Sequence, residues 1–188
     1  MFPVAKTEIG NLACIASEEI LWPELTRCHV YRGAEIIIHP TSEPGSPVVP
    51  GRDLAKRTRA FENMAYVVSA NTANIEGIVV PEFTCCGMSK IIDYQGNVLC
   101  EAGQAGESIW ANAIIEVDAL RRHRRRSGMA NILSRQMTDV YQAGLAGIDY
   151  HPGNSFIKNG EIKVPEGHDY YKKRQQQVIE RLDKAGMI

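Results

Sequence analysis

IGNLACIASEEILWPE, residues 9–24, reads as a strand, a sharp turn and a helix start. Residues 9–16 are apolar enough for a buried strand. Pro23 suits the first turn of a helix, where its missing N–H has no partner to lose. Ser17 falls at the turn between them. A side chain in that place is pushed out of the sheet into a cleft, and the backbone N–H groups that follow it can face a developing oxyanion. An enzyme built on this stretch would hold its nucleophile at Ser17.

The surrounding chain alternates strand and helix signals, which predicts an α/β layered fold. A short extended segment, residues 2–7, precedes the turn. The helix after Pro23 is expected to run to about Arg32 and to end at Gly33 in a left-handed cap. Residues 35–39 (EIIIH) carry contiguous rather than alternating apolar positions, the pattern of a strand buried on both faces. Residues 41–51 (TSEPGSPVVPG) read as a loop, and Asp53 as the N-cap of a helix with Leu54, Thr58, Phe61 and Ala65 on one face. Residues 66–70 (YVVSA) form a further strand, and residues 75–86 a long connection. Residues 88–93 and 98–102 flank Tyr94-Gln95-Gly96-Asn97 as a hairpin, and residues 107–117 are a last long strand. The pattern then weakens. Residues 151–167 look like loop, and residues 169–185 like a polar helix with a narrow stripe of Val178, Ile179 and Leu182. The division expected is residues 1–141 as the folded domain and 142–188 as an extension.

The chain has 188 residues, 44% hydrophobic and 23% charged, with a formal net charge of -1. That balance gives no global field favouring nucleic acid or an anionic membrane. No apolar run reaches the ~18 residues a bilayer-spanning helix needs, and the N-terminus shows no signal-peptide pattern. Cys14, Cys28, Cys85, Cys86 and Cys100 have neither disulfide nor zinc spacing. They read as reduced thiols of a cytoplasmic protein. The five arginines around His123, residues 121–126, lack interleaved aromatics and read as a solvated or subunit-contacting face.

Several blocks then line up in order. Ile9-Gly10 and Trp22-Pro23-Glu24 bracket the turn. Gly33-Ala34-Glu35 opens a strand ending His39-Pro40-Thr41-Ser42. Arg57-Thr58-Arg59-Ala60-Phe61-Glu62-Asn63 lies on the next helix, and Tyr66-Val67-Val68-Ser69-Ala70-Asn71 on the next strand. Gly87-Met88-Ser89-Lys90-Ile91-Ile92-Asp93 follows, with Gly96, Val98 and Leu99. Over about residues 2–141 this resembles the nitrilase superfamily of carbon–nitrogen hydrolases, whose nucleophile region reads I-G-x(6)-C-Y-D-x-x-F-P-E. The resemblance implies part of an αββα layered sandwich, a mixed sheet flanked by helices. It implies hydrolysis of a non-peptide C–N bond in a small amide or nitrile through a covalent intermediate, without a metal or organic cofactor.

Two departures bear on that implication. Gapless alignment puts Ser17 at the nucleophile position and Glu19 at the motif's aspartate. Cys14, three residues upstream in the strand, is the alternative nucleophile, but alternation along a strand would turn it to the opposite face. The family's glutamate base and lysine lie upstream of its cysteine, in a part with no counterpart in these residues. The chain therefore reads as a C-terminal half, incomplete for catalysis alone, or as a non-catalytic relative serving binding or assembly. Glu18, Glu19, His39, Glu43 and Asn71 are the candidate pocket residues, with Glu19 expected to orient the helix start or to pair with Arg57 or Arg59. Trp22 is expected in the core. A partial sandwich would expose apolar sheet, so self-association or a companion N-terminal half is expected.

Overall fold

The computed structural model describes residues 1–43, 49–75, 77, 85–103, 108–148, 156–165 and 167–188. Two compact units separate at Met1–Gln136 and Met137–Ile188.

The first unit is built on six strands in the order β1 to β6: β1 (Ala5–Thr7), β2 (Gly10–Cys14), β3 (Ile36–Thr41), β4 (Tyr66–Asn71), β5 (Lys90–Ile92) and β6 (Val98–Glu101). Strands β2, β3 and β4 run parallel, and antiparallel strands close both sides. The parallel pairs are joined by helices α1 (Pro23–Tyr31) and α2 (Val49–Asn63), as parallel strands require. The hairpin between β5 and β6 is pinned by Asp93, whose carboxylate accepts from the N–H groups of Gln95 and Asn97. Gly96 (φ 84°) lies against α2, where a Cβ would sit 3.3 Å from the carbonyl of Arg57.

Alternation along the strands makes two cores. Ala13, Ile15, Ile37, Val67 and Ile92 face α1 and α2, together with Ile20, Val30, Ala34 and Ala60. Ile36 and Tyr66 face the other way, onto Met64, Leu120 and the half-buried Ile115 and Val117. Within the first unit and among its described residues, this second face is covered only at one end. Ile38 and Val68 are half-buried there, and Cys14, Pro40 and Ala70 are exposed.

Several family-like blocks turn out to be long-range ties. The carboxylate of Glu35 accepts from the N–H of Asn11 and from Arg121 at 2.7 and 3.0 Å, so the Glu35 block is locked to helix α3 (Val117–Arg125). Gly10 (φ 126°) leaves room for that carboxylate, which a Cβ would meet at 3.4 Å. Arg124 donates to the carbonyls of Ala34 and Met64, each at 2.9 Å, just beyond the C-terminal ends of α1 and α2. A cation there meets the negative ends of two helix dipoles. Its burial lowers the Arg124 pKa to about 10. The arginine run is thus split: Arg121 and Arg124 turn inward, while Arg122, Arg125 and Arg126 are exposed.

Three sequence expectations are corrected. Asp53 does not cap α2 but lies inside it, drawn to the buried Lys90, which also pairs with Glu101. The buried face of α2 is Lys56, Arg59, Ala60 and Asn63, whereas Leu54 and Phe61 are 65% and 50% exposed. That face is polar because carbonyls at the end of the turn before α1 need donors: Arg59 donates to Ile20 and Leu21 at 3.0 Å each. Residues 108–116, within the expected last strand, pair with no strand among the described residues. Ile114 is 90% exposed, and Glu116 instead exchanges backbone hydrogen bonds with the Tyr66 hydroxyl.

The second unit holds α4 (Thr138–Leu145), a hairpin of β7 (Ile157–Lys158) and β8 (Glu161–Ile162), and α5 (His168–Lys184). The hairpin falls in a stretch expected to be loop. Asn159 and Gly160 both have positive φ, 55° and 81°, the requirement of a two-residue I′ turn. Phe156 and Tyr170 each meet Tyr171 edge to face beside it, and Phe156 and Tyr170 pack at a tilt. Among the described residues of both units, no helix is long and apolar enough to cross a membrane.

Arg124→Ala should lower unfolding free energy by about 1–3 kcal/mol, because it orphans carbonyls at two helix ends. Arg125→Ala, on the exposed side of the same helix, should stay within about 0.5 kcal/mol. Urea midpoints of the two variants decide this; equal effects would contradict the capping role.

Candidate functional site at the Ser17 elbow

The carboxyl ends of the parallel strands lie along one edge of the sheet, the usual ligand edge of an α/β sheet. Strand β2 ends at Cys14, and the chain turns through Ile15 and Ala16 into a 3-10 turn, Ser17–Leu21, that leads into α1. Ser17 has φ 51°, in the left-handed region. A serine there carries strain of about 1–3 kcal/mol that its surroundings must hold. Glu19 secures the entry: its N–H donates to the Ala16 carbonyl at 3.0 Å, and its carboxylate accepts from the Ala16 N–H at 2.6 Å. Glu19 therefore orients the turn. It does not pair with Arg57 or Arg59, which bond to the Gly96 carbonyl and to Glu62.

In front of the elbow is an open cleft of about 490 Å³ lined by Ala16, Ser17, Glu18, Glu19, Trp22, Ser42 and Arg52. Glu18 is held across it by Arg52 at 3.0 Å. Trp22, expected in the core, is 51% exposed. It sits at the junction of the 3-10 turn and α1, where it lines the cleft.

His39, Glu43 and Asn71 come from the same strand edge but do not line the cleft. His39 is fully buried. Its Nε2 lies 2.9 Å from the backbone carbonyl of Ser17, and its Nδ1 2.9 Å from the Ser69 hydroxyl. A carbonyl only accepts, so Nε2 carries the proton. Burial pushes the His39 pKa down, with the Lys56 charge adding to the effect, which keeps the ring neutral and leaves Nδ1 to accept from Ser69. Glu43 forms a buried pair with Lys56 at 2.8 Å, with side chains only 2% and 3% exposed. Its second oxygen, Oε1, is buried with no donor among the described residues. Asn71 is a bracket between loops: its Oδ1 accepts from the Glu43 N–H, and its Nδ2 donates to the Gly87 carbonyl and the Cys86 thiol.

Cys14 is exposed, in register with Ile38 on the sheet face turned away from α1 and α2. Cys14 is not among the residues that line the cleft with Ser17. Sequence reasoning missed Arg52 and Ser42 as lining residues, the Lys56 partner of Glu43, and the Ser69 partner of His39. A Ser at the fourth place of YVVSAN, in register with His39, was the available signal for the last. Among the described residues, no three His, Cys, Asp or Glu side chains gather as a metal site.

Two outcomes follow from this geometry. Lys56→Met should cost about 3–5 kcal/mol by leaving Glu43 buried and alone, and adding Glu43→Gln should recover part of the loss; additive losses in urea unfolding would contradict the pairing. Because burial disfavours the charged imidazole, the unfolded chain binds His39's proton more readily than the folded one. Stability from this group is complete above the ordinary pKa of 6.5 and is lost as pH falls below it. His29, also lowered by burial, acts in the same direction. Urea midpoints should drop between pH 7.5 and pH 5.5, and the drop should be smaller in His39→Gln; an unchanged drop would contradict the buried neutral state.

The sequence profile of the carbon-nitrogen hydrolase family matches residues 1–123. The nitrilase and fragile histidine triad fusion protein NitFhit of Caenorhabditis elegans is 24% identical over 172 residues, covering 91% of this chain and 37% of its own length. A formamidase of Pseudomonas syringae pv. syringae is 24% identical over 83% of this chain and 40% of its own. The chain thus spans less than half the length of these relatives. The crystal structure of a carbon-nitrogen hydrolase from Helicobacter pylori G27 shares the fold, with a TM-score of 0.64 over 77% of this chain and 52% of that one, at 23% identity. With the ordered blocks of the sheet, the elbow and the matching profile in agreement, the chain belongs to the carbon–nitrogen hydrolase family of the nitrilase superfamily.

Proposed function

We propose that this chain carries the nucleophile half of a hydrolase acting on a non-peptide C–N bond of a small amide or nitrile, with Ser17 at the attacking position. The observation that carries this reading is the left-handed elbow: Ser17 stands at φ 51° between a parallel strand and a helix, facing an open cleft. Nitrilase and formamidase relatives support the reaction class.

On an amide the step balances as acyl transfer. Ser17 Oγ bonds to the carbonyl carbon and gives its proton to a base. The C–N bond breaks and the amine leaves with a proton. Water then hydrolyses the acyl ester and restores the hydroxyl. A serine hydroxyl needs a well-placed base. The described groups around Ser17 are already engaged: Glu19 with the Ala16 N–H, Glu18 with Arg52, and both His39 nitrogens with Ser17 and Ser69. The base and a lysine come in this reading from outside the described residues, on a longer chain or on a companion half that covers the open sheet face. A second reading has specific support in the same facts. Serine in place of cysteine, beside carboxylates committed to structure, fits a relative that keeps the fold for binding or assembly.

The test is ammonia release from a panel of small amides and nitriles by the chain alone and mixed with candidate companion halves. Active mixtures should lose about a thousandfold or more in rate with Ser17→Ala, and should keep activity with Ser17→Cys and Cys14→Ala. Activity that survives Ser17→Ala but disappears in Cys14→Ala would overturn the assignment of Ser17. No release in any mixture would favour the non-catalytic reading.

A further inference from the structure

Ser17 is a non-glycine residue in a left-handed conformation on an exposed turn, and such a conformation persists only where neighbours hold it. Arg52 and Arg59 hold the later part of this turn, at Glu18 and at the Ile20 and Leu21 carbonyls, and three further ties reach its start at Ala16 and Ser17. Two are local: the Glu19 N–H and carboxylate close on Ala16, the residue before the elbow. The third comes from a different strand and grips Ser17 itself, at its carbonyl, through His39 Nε2–H at 2.9 Å.

We infer that His39 is the positioning residue of the elbow, holding Ser17 in its left-handed turn through the Nε2–H bond to the Ser17 carbonyl while the Ser69 hydroxyl on Nδ1 fixes the ring. The ring is suited to this. It is fully buried on the central strand β3, and Ser69 is the residue directly across from it on β4. Both nitrogens are occupied, so the ring has one orientation and one tautomer. The charges facing it are Glu43, Lys56 and Arg52; two of these, Glu43 and Lys56, pair with each other. The same bond sets what His39 does not do. Its Nε2 is spent on the backbone of Ser17, so it is not the base that takes the Ser17 hydroxyl proton. The assignment deepens the reading of Ser17 as the nucleophile position and rests on that reading for its functional meaning.

The test reads the geometry of position 17 rather than turnover. In a Ser17→Cys background, alkylation by iodoacetamide is followed at each cysteine by peptide mass spectrometry. Cys14, exposed on the other face, reports reagent and exposure, and the buried Cys85 reports integrity of the fold. His39→Leu should lower the rate at position 17 by about tenfold, as strain once held is released and the elbow population falls. Cys14 should keep its rate, and Cys85 should stay protected. His39→Gln, whose amide places a donor near the position of Nε2, should return the rate to within about twofold of the parent. Ser69→Ala, which frees the ring without emptying the core, should lower it in the same direction.

An unchanged rate at position 17 in His39→Leu or Ser69→Ala would overturn the inference. So would labelling of Cys85 in step with the change at position 17, since that pattern marks a packing role only. Selective loss at position 17 together with no ammonia release in any mixture with companion halves would sink the hydrolase reading and leave the positioning role standing.

Discussion

The hydrogen bond from His39 Nε2–H to the carbonyl of Ser17 ties the strand edge to the elbow, and most of the neighbouring structure makes that bond available. Strand β3 must end beside β2 in parallel for His39 to reach the turn that follows Cys14. Strand β4 must pair with β3 so that Ser69 stands opposite the ring. A buried imidazole with both nitrogens satisfied avoids the desolvation penalty that an orphaned nitrogen would bring. In return it holds a backbone conformation that a serine would leave if free.

Above this edge, helix α2 presents charge rather than hydrocarbon. Lys56 meets Glu43, and Arg59 bonds to the carbonyls of Ile20 and Leu21 at the end of the 3-10 turn. Buried ion pairs add little net stability, because desolvation offsets attraction, but they fix one register once formed. The polar face of α2 thus fastens the ends of β3 and the elbow to one another. At the opposite end of the sheet Arg124 and the Glu35–Arg121 pair do similar work, binding α3 to the ends of α1 and α2. Two of the family-like blocks supply fasteners of this kind, through Glu35 and Arg59.

What could be read from the sequence follows from how local each signal is. Strands β3 and β4 were legible because their apolar residues are contiguous, and the β5–β6 hairpin because Asp93 to Asn97 carries its own turn chemistry. The Asn159-Gly160 hairpin had an equally local signal, hidden among neighbouring Pro and Gly residues. Helix α2 was legible as a helix but not in its orientation, since the partners of Lys56 and Arg59 lie far away in sequence. Residues 108–116 read as a strand because alternation shows a preference for extended backbone and says nothing of whether a neighbour is present to pair. At the site, the turn at Ser17 was visible from the strand and Pro23 around it. The burial of His39 and Glu43 was not, because a polar residue after a strand looks the same whether it ends in water or under a helix.

The tether between β3 and the elbow is open to direct observation through the protons of one imidazole. Long-range 15N–1H correlation spectra of the histidine-labelled protein, with His39 assigned through its loss in His39→Gln, report which ring nitrogen carries hydrogen. A neutral ring at pH 7 with its proton on Nε2, slow to exchange with solvent, is the predicted result. A proton on Nδ1, or a charged ring exchanging freely at that pH, would contradict it.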